Sequence, residues 1–217
     1  MQEIQSSQSL EALLDARADL WRGRHRPVPE ALGTGRDELD AWLPSGGWPR
    51  GRLIELLPAH FGLGELDLLL PLLAEQTRRE RPVLFAAPPL VPCPQSLCRA
   101  GLALDHLVIV RASEQALWAA EQGLKSGLCG AIVLWHPRGR IDPRAIRRLQ
   151  LAAENGEAPV FVSYAPGQQP PPSLATLRLA IQPGPELVLL RGGDGKRRLR
   201  LGRENVIALD DWRRQGS

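Results

Sequence analysis

The residues best placed to do chemistry lie between positions 52 and 70, where an apolar run leads through a glycine loop into a leucine-rich run. This order predicts a strand, a loop that contains Gly62 and Gly64, and a helix, which is the layout of a phosphate-binding loop. A working loop reads G-x-x-x-x-G-K-[ST], where the lysine binds the β- and γ-phosphates and the hydroxyl binds Mg²⁺. Glu65 and Leu66 stand at those two positions in this chain. We therefore expect this loop to have lost its nucleotide.

Composition excludes several other classes of protein. The chain has 217 residues, of which 43% are hydrophobic and 24% are charged, and these values are ordinary for one globular domain with extensions. No uncharged apolar run approaches the roughly 20 residues that span a bilayer, and the N-terminus lacks the basic-then-apolar pattern of a secretory signal. We therefore expect a cytoplasmic protein without a membrane partner.

The cysteines and histidines predict no metal site. The three cysteines form no C-x-x-C pair, and the four histidines lie far apart in the chain. Only two lysines are present, and neither lies near a glycine loop that opens a helix. The sequence therefore predicts no second phosphate-binding loop and no metal cofactor.

Basic residues are concentrated in the C-terminal third. Residues 138–217 carry a net charge of +6, whereas residues 1–137 carry −3. This asymmetry predicts contact with DNA or with an acidic partner, and solvated arginines on exposed faces are the alternative. The candidates on one predicted helix and on one predicted hairpin are Arg144, Arg147, Arg148, Arg197, Arg198 and Arg200.

The elements that would position these residues follow an alternating order. Short apolar strands alternate with helical segments between residues 53 and 164, which is typical of parallel βαβ units. Three strands follow without helices between them, and G-G-D-G predicts a hairpin between the last two. The predicted fold class is α/β, with a mainly parallel sheet flanked by helices and a C-terminal antiparallel hairpin.

Three helix boundaries carry specific signals. The helix after the glycine loop is expected to run from residue 65 to about residue 79, and Pro71 should kink or break it. Ser113 is expected to cap a helix that runs to residue 126. Asp142 followed by Pro143 predicts another helix start, because proline favours the first helical position.

The chain divides into three expected parts. An amphipathic helix is predicted over residues 8–22, and a linker rich in proline and glycine follows it. The expected parts are an N-terminal helix with its linker, a main domain and a tail, at residues 1–31, 32–205 and 206–217.

The order of elements, together with the loops, resembles the RecA-type ATPase core over roughly residues 32–190. Residues 33–56 contain a helix that carries L-D, a G-G-x-P-x-G-R turn and the strand before the glycine loop. Residues 113–127 resemble the helix before the Walker B strand, and residues 175–181 resemble the strand after the second DNA-binding loop. The resemblance implies a RecA-like fold with a degenerate Walker A motif.

The resemblance also locates four positions that an ATPase of this type needs. They are the Walker A pair, the Walker B acid, the base that activates water and a polar sensor. None of these positions keeps the required residue type, so we expect no ATPase activity and no nucleotide cofactor. Their occupants, in the same order, are Glu65–Leu66, Trp135–His136, Pro88–Pro89 and Tyr164. The second DNA-binding loop is also replaced, by G-Q-Q-P-P-P-S, which argues against filament formation on DNA in the RecA manner.

Four shorter phrases resemble a narrower group. G-G-W-P-R-G, G-x-G-E-L-x-L-L-L-P, V-L-x-x-A-P-P and A-L-W-A-A-E-Q are similar to the ImuA family of the SulA/RecA-like group. This resemblance implies an SOS-induced accessory protein of mutagenic translesion DNA synthesis. Such a protein works with ImuB, a polymerase-like protein without catalysis, and with an error-prone replicative-type polymerase, and it contacts RecA.

The expected function is therefore a non-catalytic adaptor, with single-stranded DNA as a further candidate partner. Trp21, Trp42 and Trp48 are candidate protein contacts, because tryptophan is enriched at binding hot spots; packing in the core is their alternative role. Two other functions stay open: a SulA-like inhibitor of cell division that acts on FtsZ, and a diverged ATPase with an unusual site.

Overall fold

The computed structural model describes residues 30–136, 142–168, 170, 175–184, 186–193 and 195–202. The predicted N-terminal helix at residues 8–22 with Trp21, the linker after it, much of the loop at 167–173 and the tail at 206–217 lie outside these residues. Among the helices that the structure describes, none combines the length and apolar character that crossing a bilayer requires.

The described residues form ten strands and five α-helices in an alternating order. The strands are β1 (Ala31–Leu32), β2 (Trp48–Pro49), β3 (Leu53–Pro58), β4 (Val83–Ala86), β5 (Leu107–Val110), β6 (Ala131–His136), β7 (Val160–Tyr164), β8 (Leu177–Gln182), β9 (Glu186–Arg191) and β10 (Arg197–Arg200). The helices are α1 (Asp37–Trp42), α2 (Leu70–Arg78), α3 (Pro94–Arg99), α4 (Ser113–Lys125) and α5 (Pro143–Gly156), and a 3₁₀ turn covers Leu104–His106.

Eight of these strands form one sheet in the order β10-β9-β8-β3-β7-β6-β4-β5. The six strands from β8 to β5 are parallel, whereas β9 is antiparallel to β8 and β10 is antiparallel to β9. The prediction of a mainly parallel α/β sheet with a C-terminal antiparallel hairpin is confirmed. One consequence is that the carboxyl ends of the six parallel strands, and the end of β10, lie at the same edge of the sheet.

Helices cover both faces of the parallel part, which explains why its strands are almost continuously apolar. All six residues of β6 are buried, and they alternate between the two faces. Val133 and Trp135 pack in the core that contains α1, α2 and α3. Ile132 and Leu134 pack in the second core, beneath α4 and α5.

Local sequence signals explain where two helices begin. Asp142 is the N-cap of α5, and its Oδ1 accepts a hydrogen bond of 2.9 Å from the backbone N–H of Arg144, as predicted. Ser113, by contrast, is the first residue of α4 rather than its cap, and the cap position, Ala112, makes no side-chain hydrogen bond. The prediction of a Ser113 cap was therefore wrong.

Candidate functional site

A cavity of about 330 Å³ opens at the carboxyl edge of the sheet. Its lining comes from the residues at and after the ends of four neighbouring strands, β5, β4, β6 and β7, and from the glycine loop after β3. Ligands of open α/β sheets bind at this edge, so the cavity is the candidate site. The lining residues are Phe61, Ala87, Pro88, Pro89, Arg111, Ser113, Trp135, His136, Ser163, Tyr164 and Ala165.

The cavity brings together three of the four positions that the sequence predicted to be lost ATPase positions. Pro88–Pro89, Trp135–His136 and Tyr164 all line it. The fourth position, Glu65–Leu66, does not line it, and Phe61 is the residue of the glycine loop that does. The described lining contains no lysine and no carboxylate.

The glycine loop differs from a phosphate-binding loop in its backbone as well as in its side chains. Gly62 and Gly64 take left-handed conformations, with φ values of 76° and 87°, as a tight loop allows. The predicted helix from residue 65 does not form, because α2 begins at Leu70 and residues 65–69 form turns. Pro71 lies in the first turn of α2, where its missing N–H costs nothing. The regular helix thus begins at Leu70, and between it and Gly64 the chain forms only isolated turns, including hydrogen bonds from the Leu68 N–H to Gly64 and from the Leu70 N–H to Leu66.

Glu65 and Leu66 have structural environments that do not fit Mg²⁺-ATP. Glu65 is 9% exposed, and its Oε2 has no hydrogen-bond partner among the described residues. Leu66 packs against the first core. A buried carboxylate repels phosphate, and an alkyl chain offers Mg²⁺ no oxygen. The described residues also contain no group of three or more side chains that could hold a metal ion.

The inner wall of the cavity consists of aromatic rings with fixed neighbours. Trp135 meets Phe85 edge to face, with ring centroids 5.2 Å apart. His136 stacks on Tyr164, with centroids 6.2 Å apart and an interplanar angle of 25°. Both Trp135 and Tyr164 are almost fully buried, so this wall belongs to the packed core.

A buried ion pair beneath the cavity holds Tyr164 in place. The Tyr164 hydroxyl donates a hydrogen bond of 2.9 Å to Oε1 of Glu55 on the neighbouring strand. Arg178, on the strand at the other side of Glu55, donates to Oε2 at 2.6 Å. Burial, together with the nearby Glu55 charge and its hydrogen bond, raises the pKa of the Tyr164 phenol well above its usual range. The phenol therefore keeps its proton and donates it in the hydrogen bond to Glu55.

Sequence reasoning missed Glu55 and Arg178, although the pattern around each residue marks it. Each is a single charge inside an otherwise apolar strand, in L-I-E-L-L and in L-R-L-A-I. A charge in a strand that is buried on both faces needs an opposite charge nearby. The strand order β7-β3-β8 makes these two residues neighbours, and Glu55 and Arg178 are directly opposite in the β3–β8 register.

The mouth of the cavity combines an exposed aromatic side chain, Phe61, with a positively charged one, Arg111. Phe61 is 56% exposed, although it is a large aromatic side chain. Arg111 is exposed and forms no ion pair within the part of the chain that the structure describes. Ala87 adopts a left-handed conformation with a φ of 52°, which is uncommon for a residue with a Cβ. Strain of this kind clusters at binding sites.

The predicted arginine contacts lie on two separate elements. Arg144, Arg147 and Arg148 are exposed on α5, and Arg148 forms an ion pair of 3.1 Å with Glu121 on α4. The second set is exposed on β10, at the sheet edge, and consists of Arg197, Arg198 and Arg200, of which Arg198 pairs with Glu186 at 3.3 Å. The helix α5 packs against β3 and β7, whereas β10 is the edge strand on the far side of β8 and β9. The two sets of arginines therefore lie on different parts of the domain.

Two of the three candidate tryptophan contacts are core residues. Trp48 is fully buried and meets Phe161 edge to face at 5.2 Å. Trp42 is 7% exposed and packs in the same core. Their prediction as partner contacts is corrected, since neither ring offers a surface to another protein; Trp21 lies outside the described residues.

The fold is an α/β domain with a mainly parallel sheet, consistent with a RecA-like core, and a cavity lies at the carboxyl edge of that sheet. Known proteins that are similar to the chain include a RecA and a SulA, although no family model matches it. RecA of Clostridium acetobutylicum is 33% identical over 107 residues, which cover 48% of this chain and 30% of that RecA, so the match spans less than a third of the relative's length. The crystal structure of SulA from Pseudomonas aeruginosa superposes with a TM-score of 0.42 and 25% identity, over 52% of this chain and 98% of SulA.

Proposed function

We propose that this chain is a non-catalytic, RecA-like adaptor of SOS-induced mutagenic translesion DNA synthesis. In this role it contacts RecA, ImuB and an error-prone replicative-type polymerase. The similarity to RecA supports the first part of the proposal. The second part rests on the resemblance of four short phrases to the ImuA family.

One observation carries the proposal. Three positions that the RecA resemblance assigns to metal, water and sensing line one cavity, and none of them carries the residue type that the resemblance calls for. At the fourth position, a buried carboxylate replaces the lysine. Trp135 and Tyr164, which stand at two of these positions, are buried and packed against neighbouring rings. A scaffold that is kept while its catalytic groups are replaced favours a role in binding other macromolecules.

The volume of the cavity supports the same conclusion. At about 330 Å³ it lies at the small end of the roughly 300–1,000 Å³ that ligand pockets span. This space suits one aromatic side chain better than an intact nucleoside triphosphate.

The test is co-purification of the tagged full-length chain from cells treated with a DNA-damaging agent. We expect RecA, the polymerase-like partner and the error-prone polymerase to be retained, and a parallel preparation without residues 1–26 reports whether the N-terminal segment is needed. Deletion of the gene should abolish damage-induced mutagenesis while cell division stays normal. Retention of none of these proteins, or filamentous cells on overexpression with FtsZ retained, would contradict the adaptor and favour the division inhibitor.

The DNA part of the proposal has its own test. Binding of single-stranded DNA by the arginines of α5 or β10 should weaken steeply with salt, because phosphate contacts release counterions. Arg147→Glu should weaken binding to all sequences equally, whereas Arg99→Glu, an exposed charge on α3, should not. An absence of binding at low salt would remove DNA from the partners.

A further inference from the structure

The two edge strands of the sheet differ in how they meet solvent. At one side of the sheet, β10 carries exposed arginines at positions 197, 198 and 200, and charged side chains keep an edge strand from pairing with another chain. At the other side, β5 reads L-V-I-V and contains neither a charge nor a proline. Among the described strands β5 pairs only with β4, so its outer side is open to a further strand.

The open strand β5 also exposes apolar side chains on both faces of the sheet. Val108 is 51% exposed and Ile109 is 39% exposed, and consecutive residues of a strand point to opposite faces. The Ala87 N–H donates to the carbonyl of the last residue of β5 at 2.7 Å, so the loop after β4 begins beside that end of the strand. This loop contains Leu90 and Val91, which are 80% and 70% exposed. An apolar edge strand of this kind is a template for strand addition.

The charges at the two ends of β5 indicate which strand fits there. Asp105 lies just before β5 and Arg111 directly after it, and both are exposed. Neither of them forms an ion pair with another described residue. Asp105 and Arg111 each lie three positions from Val108, so the segment is complementary to itself when it is reversed about Val108.

An antiparallel second copy of β5 therefore matches the segment in charge as well as in apolar character. With Val108 opposite Val108 of the second copy, each Asp105 comes to the position opposite Arg111 of the other copy, and the pair forms twice. Opposite charges across a strand pair are stabilising and like charges are destabilising. A parallel copy would place like charges together at both ends.

We propose that two copies of this chain associate through antiparallel pairing of their β5 strands about a two-fold axis at Val108. The two eight-stranded sheets thereby continue into each other. The same surface is used by both copies, so the assembly closes at two. Four paired residues with a few apolar neighbours make a small interface, and we expect a dissociation constant in the micromolar range. This dimer requires neither RecA nor DNA, and it is independent of the proposed adaptor role.

Sedimentation velocity of the full-length chain over a range of concentrations tests the dimer. The mass should rise with concentration from 23.8 kDa to twice that value and no further. Val108→Lys should keep the chain monomeric, because a lysine on an edge strand opposes pairing. Val108→Thr is the matched control and should still dimerise, since it keeps a β-branched side chain without a charge. Urea unfolding of both variants checks that they fold.

Charge reversal tests whether the partner strand is a second copy. Asp105→Arg should raise the dissociation constant about tenfold, because attraction becomes repulsion at two symmetric pairs. Adding Arg111→Asp in the same chain should restore the native value, since the two reversed charges again meet their opposites. A partner of different sequence would not give this rescue. Lys196→Glu reverses an exposed charge beside β10 and should leave the dissociation constant unchanged.

Four results would overturn the proposal. A monomer at every concentration means that β5 does not pair with a second copy. A mass that rises beyond the dimer indicates a head-to-tail contact, which does not close. A dimer that persists in Val108→Lys uses another surface. A double variant that associates no better than Asp105→Arg excludes the antiparallel register.

Discussion

Replacing Tyr164 with phenylalanine tests how the site is built. The variant keeps the ring that stacks on His136 but removes the hydroxyl that donates to Glu55 at 2.9 Å. Glu55 is fully buried, so water cannot replace the lost donor. Hydrogen bonds to charged groups contribute about 1.5–3 kcal/mol, and we expect the free energy of unfolding to fall by about that amount.

Urea unfolding measures this loss. With a slope of about 2–3 kcal/mol/M, the midpoint should fall by roughly 0.5–1.5 M while the slope stays unchanged. A double-mutant cycle with Glu55→Gln isolates the pairwise free energy, which we expect to exceed about 1 kcal/mol. The control cycle uses Arg198 and Glu186, an ion pair on β10 and β9 whose side chains are 73% and 32% exposed. Its pairwise free energy should stay below about 1 kcal/mol.

A midpoint change below about 0.2 M for Tyr164→Phe, or equal coupling in the two cycles, would refute the reasoning. Either result would mean that the buried contact does not hold the cavity wall.

Three further predictions concern other parts of the domain. Tyr164 is the sole tyrosine, and because its pKa is raised, the native phenol keeps its proton near pH 10, where the unfolded phenol loses it. The free energy of unfolding should therefore fall as the pH rises above about 10. Absorbance at 295 nm, which reports the ionised phenol, should rise only as the protein unfolds. Gly156→Ala should destabilise the protein by about 1–3 kcal/mol in urea unfolding, because a Cβ there would lie 2.1 Å from the Leu124 carbonyl oxygen. Gly202→Ala should change little, because no atom of the described residues lies within 4 Å of a Cβ at that position. Equal effects of the two variants would contradict the packing of α4 on α5. Hydrogen bonds at Ser96 lower the pKa of the exposed Cys93 thiol, and burial raises the pKa of the Cys129 thiol. Alkylation followed by mass spectrometry should therefore modify Cys93 before Cys129 at neutral pH, and the reverse order would contradict this.

Much of the fold follows from local sequence signals, because they act over a few residues. The strands from β3 to β7 are apolar runs bounded by turns, and burial on both faces requires that pattern. Asp142 and Pro143 mark a helix start through capping and a fixed φ. Three of the four predicted ATPase positions meet at one cavity because parallel strands end at one edge, whereas the fourth, Glu65–Leu66, does not line it.

Other features depend on contacts between distant parts of the chain. The leucine run after Gly64 favours a helix, yet Pro71 sets its start, and only the structure shows that residues 65–69 form turns. Burial of Trp42 and Trp48 depends on how α1 and β2 dock on the sheet. The pairing of Glu55 with Arg178 requires the strand order, which places residues 123 positions apart on neighbouring strands.

The central proposal is that this chain keeps a RecA-like fold for binding other macromolecules and binds no nucleotide. Equilibrium titration of the full-length chain with a fluorescent ATP analogue and Mg²⁺ tests this most directly. We predict no saturable binding, because Glu65 is a buried carboxylate at the lysine position and α2 begins only at Leu70. Saturable binding in the micromolar range that Glu65→Lys strengthens would contradict the account.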